Sequence, residues 1–333
     1  MEKSFDMIAI GDTTQDVFLL MSDASLQCDL DGKNCRLCFD YAEKIAVDQK
    51  TDVPAVGNAA NHAIGVARLG FSAAIYTIVG DDTQGRIAKD IFTENGVDTA
   101  LMAFDSARGT NFSTVINYKA ERTIFVYHEP RDYSLPALPP TKWIYLTSVS
   151  GGGVEKLHDQ VMAYLAKQSE VKVAFNPGTY QIRLGGEKLA PLISRTDILF
   201  LNREEAMRIL ATKEDDIATL ITNFHQQGVK TIVLTDGVDG AYGSDGQTIW
   251  HLAIFEGPVV ERTGTGDAFG SAFVSAILAG KDVPTAMLWG NANSTSVVQY
   301  IGAREGLLDQ AKIEQVISEN TSIRPTIFTG AKP

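Results

Sequence analysis

The sequence predicts an α/β protein: a doubly wound, mostly parallel sheet flanked by helices, with a small β appendage. Three observations carry that expectation. Short apolar runs bounded by turn residues alternate with helical patterns along residues 7–234, the pattern of parallel strands joined through helices. The chain has 333 residues, 44% hydrophobic and 21% charged, which suits one large core and is too apolar for a disordered chain. Two stretches break the rhythm: Phe18–Val47 is polar and irregular with strand-like pieces, and Thr110–Tyr127 alternates at period two.

The elements follow in order. Met7–Ile10 is a short apolar run ending in Gly11, a buried strand entering a loop. Ala74–Val79, Trp143–Leu146, Val171–Phe175, Ile198–Leu201 and Thr231–Leu234 share its character. Being apolar or β-branched nearly throughout, they suit a sheet covered on both faces. Helical spacing is found at Ala59–Leu69, Gln84–Glu94, Lys156–Lys167, Glu204–Leu210 and Ile217–Gln226. Thr110–Tyr127 reads as a hairpin turning near Lys119–Glu121, with one wet face. Beyond Gly280 the chain is expected to be mostly helical, through Thr285–Tyr300 and Ala311–Glu319. No repeat or low-complexity linker divides it, so residues 1–333 are expected to form one domain. Parts of 17–56 and 108–128 would make the appendage.

Charge and cysteine content exclude several partners. Basic residues number 29 and acidic ones 41, a formal charge of −12. Such a chain carries no general electrostatic footprint for nucleic acid or for an anionic membrane. No apolar run approaches the roughly 18 residues of a membrane span. The opening residues lack a signal-peptide layout, and three cysteines make no complete disulfide framework. A cytoplasmic protein with Cys28, Cys35 and Cys38 reduced is the expectation. A zinc or redox site is the alternative for this C-x6-C-x2-C run, but zinc lacks a fourth ligand nearby.

The most informative segment is Val259–Gly270, which contains Thr263-Gly264-Thr265-Gly266-Asp267 ahead of the small apolar run Ser271–Ala279. Glycines at 264 and 266 let backbone N–H groups converge at a helix N-terminus, a ready anion site. Asp267 reads either as an ordinary helix cap or as a carboxylate placed to take a proton from an attacking hydroxyl. A dinucleotide fingerprint would need a second strand downstream, where this chain is helical. A Walker-type P-loop is absent, since Gly32-Lys33 and Gly280-Lys281 both fail its spacing.

Across about residues 5–320 the sequence resembles the ribokinase-like carbohydrate kinases of the phosphofructokinase-B type. The late family signature Asp-Thr-x-Gly-Ala-Gly-Asp corresponds to Glu261-Arg262-Thr263-Gly264-Thr265-Gly266-Asp267. The early Gly-Gly-x-x-x-Asn corresponds to Val56-Gly57-Asn58-Ala59-Ala60-Asn61, with Val56 in place of the first glycine. The first-strand loop is Gly11-Asp12-Thr13-Thr14-Gln15-Asp16, Asn-x-x-Glu is Asn202-Arg203-Glu204-Glu205, and Thr-x-Gly is Thr235-Asp236-Gly237. Asn176-Pro177 stands where the family often has Asn-Pro.

The resemblance implies a three-layer sandwich and an ATP-dependent phosphotransferase with Asp267 as general base. It implies an anion hole from the N–H groups of Gly264, Thr265 and Gly266. Asn202 and Glu205 would organise the waters of Mg²⁺, with Asn202, Thr235, Gly237 and Asn293 toward the nucleotide. Thr14, Asp16, Gly57, Asn58 and Asn61 would hold substrate hydroxyls. The appendage would close as a lid and join two copies in a homodimer. Glu261 replaces the acid that helps some members bind K⁺, which extends the cofactor expectation to a monovalent cation. Arg262 beside it would neutralise phosphate charge or simply pair with Glu261. A ribose-like sugar heads the acceptors. A nucleoside is the alternative, with Phe112, Tyr127 and Tyr133 as aromatics for the base. An inert sugar sensor is the reading of another class, and the intact Asp267, Gly264, Gly266, Asn202 and Glu205 argue against it.

Overall fold

In a computed structural model, residues 3–29, 35–119 and 121–330 are described. The first strand, Phe5–Ile10, sends Met7 and Ala9 into one apolar core and Ile8 and Ile10 into another. That two-sided burial is what a parallel strand requires when helices cover both faces. Among the described residues ten strands form one sheet. Across it the order is Thr326–Ile327, Ile249–Leu252, Ala241–Ser244, Thr231–Thr235, Ile198–Asn202, Lys172–Phe175, Thr141–Leu146, Phe5–Ile10, Ala73–Tyr76 and Val97–Asp98. The pairings from Thr231–Thr235 to Val97–Asp98 are parallel, and the other three are antiparallel. The strand order reverses at Phe5–Ile10, which lies between Ala73–Tyr76 and Thr141–Leu146. Loops leaving the carboxyl ends of strands at such a reversal border a crevice.

A second sheet of four strands has the order Glu121–Tyr127, Asn111–Tyr118, Thr14–Leu20 and Gln49–Val56. Phe18, Val53, Val56 and Val115 give it a small core of its own. The hairpin read in 110–127 is present, but only Asn111–Tyr118 has a covered face. Glu121–Tyr127 is exposed along its whole length, with Ile124, Phe125, Val126 and Tyr127 open to solvent. Residues 30–34 and 120, part of the expected appendage and of its turn, lie outside the described residues.

The reduced state expected for the cysteines is corrected. Ser25–Cys28 and Cys35–Cys38 pair as an antiparallel hairpin in which Cys28 faces Cys35, and these two form a disulfide. Direct cross-strand opposition brings the two side chains together, a geometry that spacing alone does not reveal. Cys38 remains a thiol.

The remaining differences lie where turn residues mask periodicity. Thr179–Leu184 and Gly186–Arg195 are helices without a clear sequence periodicity, split by Gly185 at φ 85° and interrupted in pattern by Pro191. The antiparallel strands Ala241–Ser244 and Ile249–Leu252 carry no continuous apolar run, because Gly243, Ser244 and His251 interrupt them.

The helix Thr265–Leu278 is buried from Asp267 to Ala276, which explains why it is largely apolar on every face. It packs on the helices Asn58–Arg68 and Val283–Val297, and both contacts need glycine. A Cβ on Gly65 would stand 2.4 Å from Ser271 Oγ, and one on Gly290 would stand 2.8 Å from the Phe269 ring. This close approach brings the amino end of Asn58–Arg68 against Asp267.

Candidate active site

Asp267 does not cap its helix. The N-cap is Gly264, in the left-handed region at φ 79°, and no side chain caps it. The Asp267 carboxylate instead accepts a hydrogen bond from Asn61 Nδ2 at 2.8 Å and another from the Asn58 side chain. Burial pushes its pKa up to about 6, against the lowering effect of those two amides. The group is thus a desolvated carboxylate whose hydrogen bonds orient it.

Gly264, Gly266 and Asp267 line one wall of a cleft of about 340 Å³. The opposite wall is Asn176, Asn202, Glu205 and Thr235, all at carboxyl ends of central strands or just beyond them. Asn58 and Arg122 also reach the cleft. The two glycines have different reasons. A Cβ on Gly264 would lie 2.2 Å from Ala303 Cβ, so the turn itself forbids a side chain. A Cβ on Gly266 would meet nothing within 4 Å, so that position faces open space beside the helix N-terminus. Thr265 N makes only a long contact to the Arg262 carbonyl, at 3.5 Å, and the helix dipole makes this end of the cleft favourable to an anion.

Asn202 and Glu205 form a reciprocal cap. Glu205 N donates to Asn202 Oδ1 at 2.8 Å, and Asn202 N donates to Glu205 Oε2 at 2.9 Å. Burial holds the Glu205 carboxyl above its ordinary value. Among the described residues no group of three His, Cys, Asp or Glu could hold a metal ion directly. One carboxylate and one amide at the cleft wall fit a Mg²⁺ that keeps its waters and is held chiefly by phosphate oxygens.

Glu261 answers differently. Its oxygens accept from Thr263 N at 2.9 Å and Thr263 Oγ1 at 2.6 Å, and Arg122 Nε stands 3.7 Å away. Committed in this way, it does not fit the role of a K⁺ ligand. The cation on Glu261 is therefore Arg122 of the four-stranded sheet, whereas Arg262 is exposed. Sequence order could not reveal Arg122, because it reaches the glycine turn from more than a hundred residues away.

The sugar-side expectations are brought together around the first strand. Gly57 has φ 110°, and a Cβ there would stand 2.7 Å from the Asp12 carbonyl oxygen. Thr14 pairs with Val56 across the sheet, and Asp16 follows on the same strand. Burial pushes Asp16 up to about 6 and the charge of Glu261 adds to this, while a hydrogen bond from Ser113 opposes it. Gly237 lies at φ 57° just past Thr235, with open space around it. Asn293 is not brought to the cleft. It is fully buried, donates to the Ala268 carbonyl at 2.8 Å and accepts from Leu308 N at 2.9 Å. Its amide is spent joining helices.

A family model described as pfkB family carbohydrate kinase matches residues 24–310. The chain belongs to that family. It is a carbohydrate kinase, and the glycine turn, Asn58, Asn61 and the Asn202–Glu205 cap all fall inside the matched residues. The pfkB assignment agrees with a 5-dehydro-2-deoxygluconokinase from Bacillus subtilis, 26% identical over 95% of this chain and 97% of that protein. Solved structures share the fold. Ribokinase of Arabidopsis thaliana, complexed with ribose and ATP, superposes with a TM-score of 0.76 at 19% identity, covering 95% of this chain and 99% of that one. A nucleoside kinase of Methanocaldococcus jannaschii gives 0.75 at 18% identity, with 95% and 99% covered. Fold similarity alone thus does not separate a sugar from a nucleoside. Among the described residues no helix is long and apolar enough to cross a membrane.

Proposed function

We propose that this carbohydrate kinase transfers the terminal phosphoryl group of ATP to a hydroxyl of a small sugar, with Asp267 as the general base. The observation that carries the assignment is the Asp267 carboxylate itself: desolvated, freed from capping, oriented by Asn58 and Asn61, and placed beside a glycine turn open to an anion. A base of pKa about 6 is ionised at neutral pH and still accepts a proton effectively. The acceptor hydroxyl gives its proton to Asp267 as its oxygen bonds to phosphorus, and ADP leaves. N–H groups of Gly264, Thr265 and Gly266 stabilise the charge on the equatorial oxygens. Mg²⁺, held through water by Asn202 and Glu205, would neutralise the nucleotide phosphates when bound. Thr235 and Gly237 lie along those phosphates, and Thr14, Asp16, Gly57, Asn58 and Asn61 hold the sugar.

Arg122 adds a charge that the family motif does not supply. Arriving on the small sheet, it lines the same cleft as Asp267 and Gly264. The small sheet acts as a lid that excludes water and carries this guanidinium to the phosphoryl group. Arg122→Ala is expected to lower kcat by about 10- to 100-fold with a smaller change in sugar KM. A steady-state assay in which kcat stays within twofold would remove Arg122 from the reaction. The exposed edge strand Glu121–Tyr127, with its unpaired backbone and four large apolar side chains, suits pairing with a second copy. A homodimer joined through its lids follows from this reading.

A nucleoside acceptor is the second reading. Phe112 and Tyr127 sit opposite each other on the lid hairpin and are about half exposed, a surface on which a base can stack. Coupled ADP release with Mg-ATP against pentoses, hexoses, keto-acid sugars and nucleosides tests both. A sugar that accelerates ADP release supports the proposal, and acceleration by nucleosides alone replaces it with the second reading.

A further inference from the structure

Two loops meet on the cleft wall opposite Asp267, and what joins them does not face the cleft. Asn202 and Thr235 end neighbouring parallel strands and stand in register as the last pair of that ladder. Both line the cleft, as does Glu205. Beyond them the backbone pairing stops. The chain turns into the helix Arg203–Ile209 on one side and into the short 3₁₀ turn Gly237–Asp239 on the other. Arg203 and Asp236, the residues that follow Asn202 and Thr235, bridge the gap with an ion pair from Arg203 Nη2 to Asp236 Oδ2.

The pair is largely buried, with 16% and 12% of the two side chains exposed. The buried Tyr242 lies within electrostatic reach of both charges. Arg203 lines a separate hollow of about 180 Å³ with Asp215, Ile217, Tyr242 and Phe328. Its Nε is buried without a partner among the described residues, so the guanidinium is oriented by its bond to Asp236. A pair so placed returns little net stability, because desolvation offsets its attraction. What it sets is the spacing of two strand ends. The same strands carry another pair at their amino ends, where Lys230 Nζ donates to Asp197 Oδ1 at 2.6 Å with the lysine 73% exposed. They are stapled at both ends, and the Arg203–Asp236 staple is the one that adjoins the cleft.

We propose that Arg203 and Asp236 are positioning residues for Mg-ATP: their ion pair fixes the Asn202–Glu205 cap against the Thr235–Gly237 turn, so that one ligand is met from both sides at once. The inference deepens the kinase reading and rests on it for what those two walls hold. Neither residue lines the cleft, so each acts through its neighbours in the chain. Arg203 opens the turn that carries Glu205 and follows Asn202, while Asp236 stands between Thr235 and Gly237. Asp236 is itself held, since its N donates to the Gly240 carbonyl at 2.8 Å and its own carbonyl accepts from Asp239 N at 3.0 Å. Groups that share one metal-nucleotide ligand tolerate little error in their separation, because a small misplacement of either forfeits the contact. The proposed sugar contacts sit on the strand Thr14–Leu20 and the helix Asn58–Arg68, away from these two strand ends. Loss of the pair should therefore act on Mg-ATP and spare the sugar.

The test compares Arg203→Met, Asp236→Asn and the double variant by Mg-ATP calorimetry, steady-state kinetics and thermal melts on the whole chain. Each single variant leaves one buried charge unpaired and should melt lower, whereas the double variant removes both charges and should recover. Mg-ATP Kd and KM are expected to rise about tenfold in each single variant and to stay raised by a similar factor in the double, since the two residues act as one unit. Sugar KM should remain within about twofold throughout. Lys230→Met, which opens the staple at the far end of the same strands, should leave Mg-ATP affinity within about twofold. A double variant whose Mg-ATP affinity returns along with its stability would overturn the proposal, and it decides the matter even where a single variant fails to fold. A sugar KM that rises as much as that for Mg-ATP, or an equal effect in Lys230→Met, would overturn it too. A wild type that binds Mg-ATP but phosphorylates no sugar would refute the transfer alone, and calorimetry on the variants would still decide on the pair. A wild type that does not bind Mg-ATP would overturn both.

Discussion

Replacing Asp267 by Asn is expected to lower turnover by about 10²-fold or more while sugar affinity changes little. The substitution keeps the shape and leaves an oxygen to accept from Asn61, so the helix packing stays. It removes the only property the reaction uses, a lone pair able to hold a proton. A base and a mere binding group differ in how the loss divides. Loss of a base depresses kcat and kcat/KM together, whereas loss of a substrate contact raises KM. Steady-state kinetics beside calorimetric sugar binding make the separation. A variant with near-normal kcat would end the base assignment, and one that no longer binds sugar would recast Asp267 as a substrate ligand.

The second large effect is at the glycine turn, where two similar substitutions should fail for different reasons. Gly264→Ala forces a Cβ into Ala303, at 2.2 Å from its Cβ and 2.7 Å from its Cα, at a residue with φ 79°. Neither neighbour is a flexible side-chain tip, so the turn or the Ala303 backbone must move. A loss of about 2–4 kcal/mol in stability is expected, together with at least a hundredfold loss in turnover. Gly266→Ala meets nothing within 4 Å and gains helix propensity. Its stability should match or exceed wild type by about 0.5 kcal/mol, while the methyl group obstructs the approaching phosphoryl group and lowers kcat/KM for ATP. Thermal melts and ATP kinetics on both variants distinguish the roles. Equal destabilisation, or full activity in Gly266→Ala, would contradict the view that 264 shapes the loop and 266 makes room.

The central sheet was legible because parallel strands buried on both faces are apolar at every position, as Met7 to Ile10 illustrate. The glycine turn and Asn202–Glu205 were legible because their chemistry is local, confined to a few residues whose spacing can be read. Contacts between distant residues were not. Arg122 on Glu261 depends on how the small sheet folds back over the glycine turn, whereas Cys28 opposite Cys35 depends on the register of a separate two-stranded hairpin, which spacing alone does not give. Asn293 shows the opposite failure. A polar residue matched to a family position reads as a ligand contact, yet here its amide bridges Ala268 and Leu308 inside the core. The helices at 179–195 are not legible because Gly178, Gly185 and Pro191 interrupt the periodicity that marks a helix.

The central claim, that Asp267 takes the proton, is tested most directly by the pH dependence of kcat at saturating sugar and Mg-ATP. Saturation holds the sugar in place across the pH range in which Asp16, also pushed up to about 6, changes charge. Burial raises Asp267 to about 6, and the group works only when ionised. The rate should therefore be flat above that value and fall tenfold per pH unit below it. In Asp267→Asn the small residual rate should be level through the same range. An acid limb that persists unchanged in the variant would show that another group accepts the proton and would contradict this account.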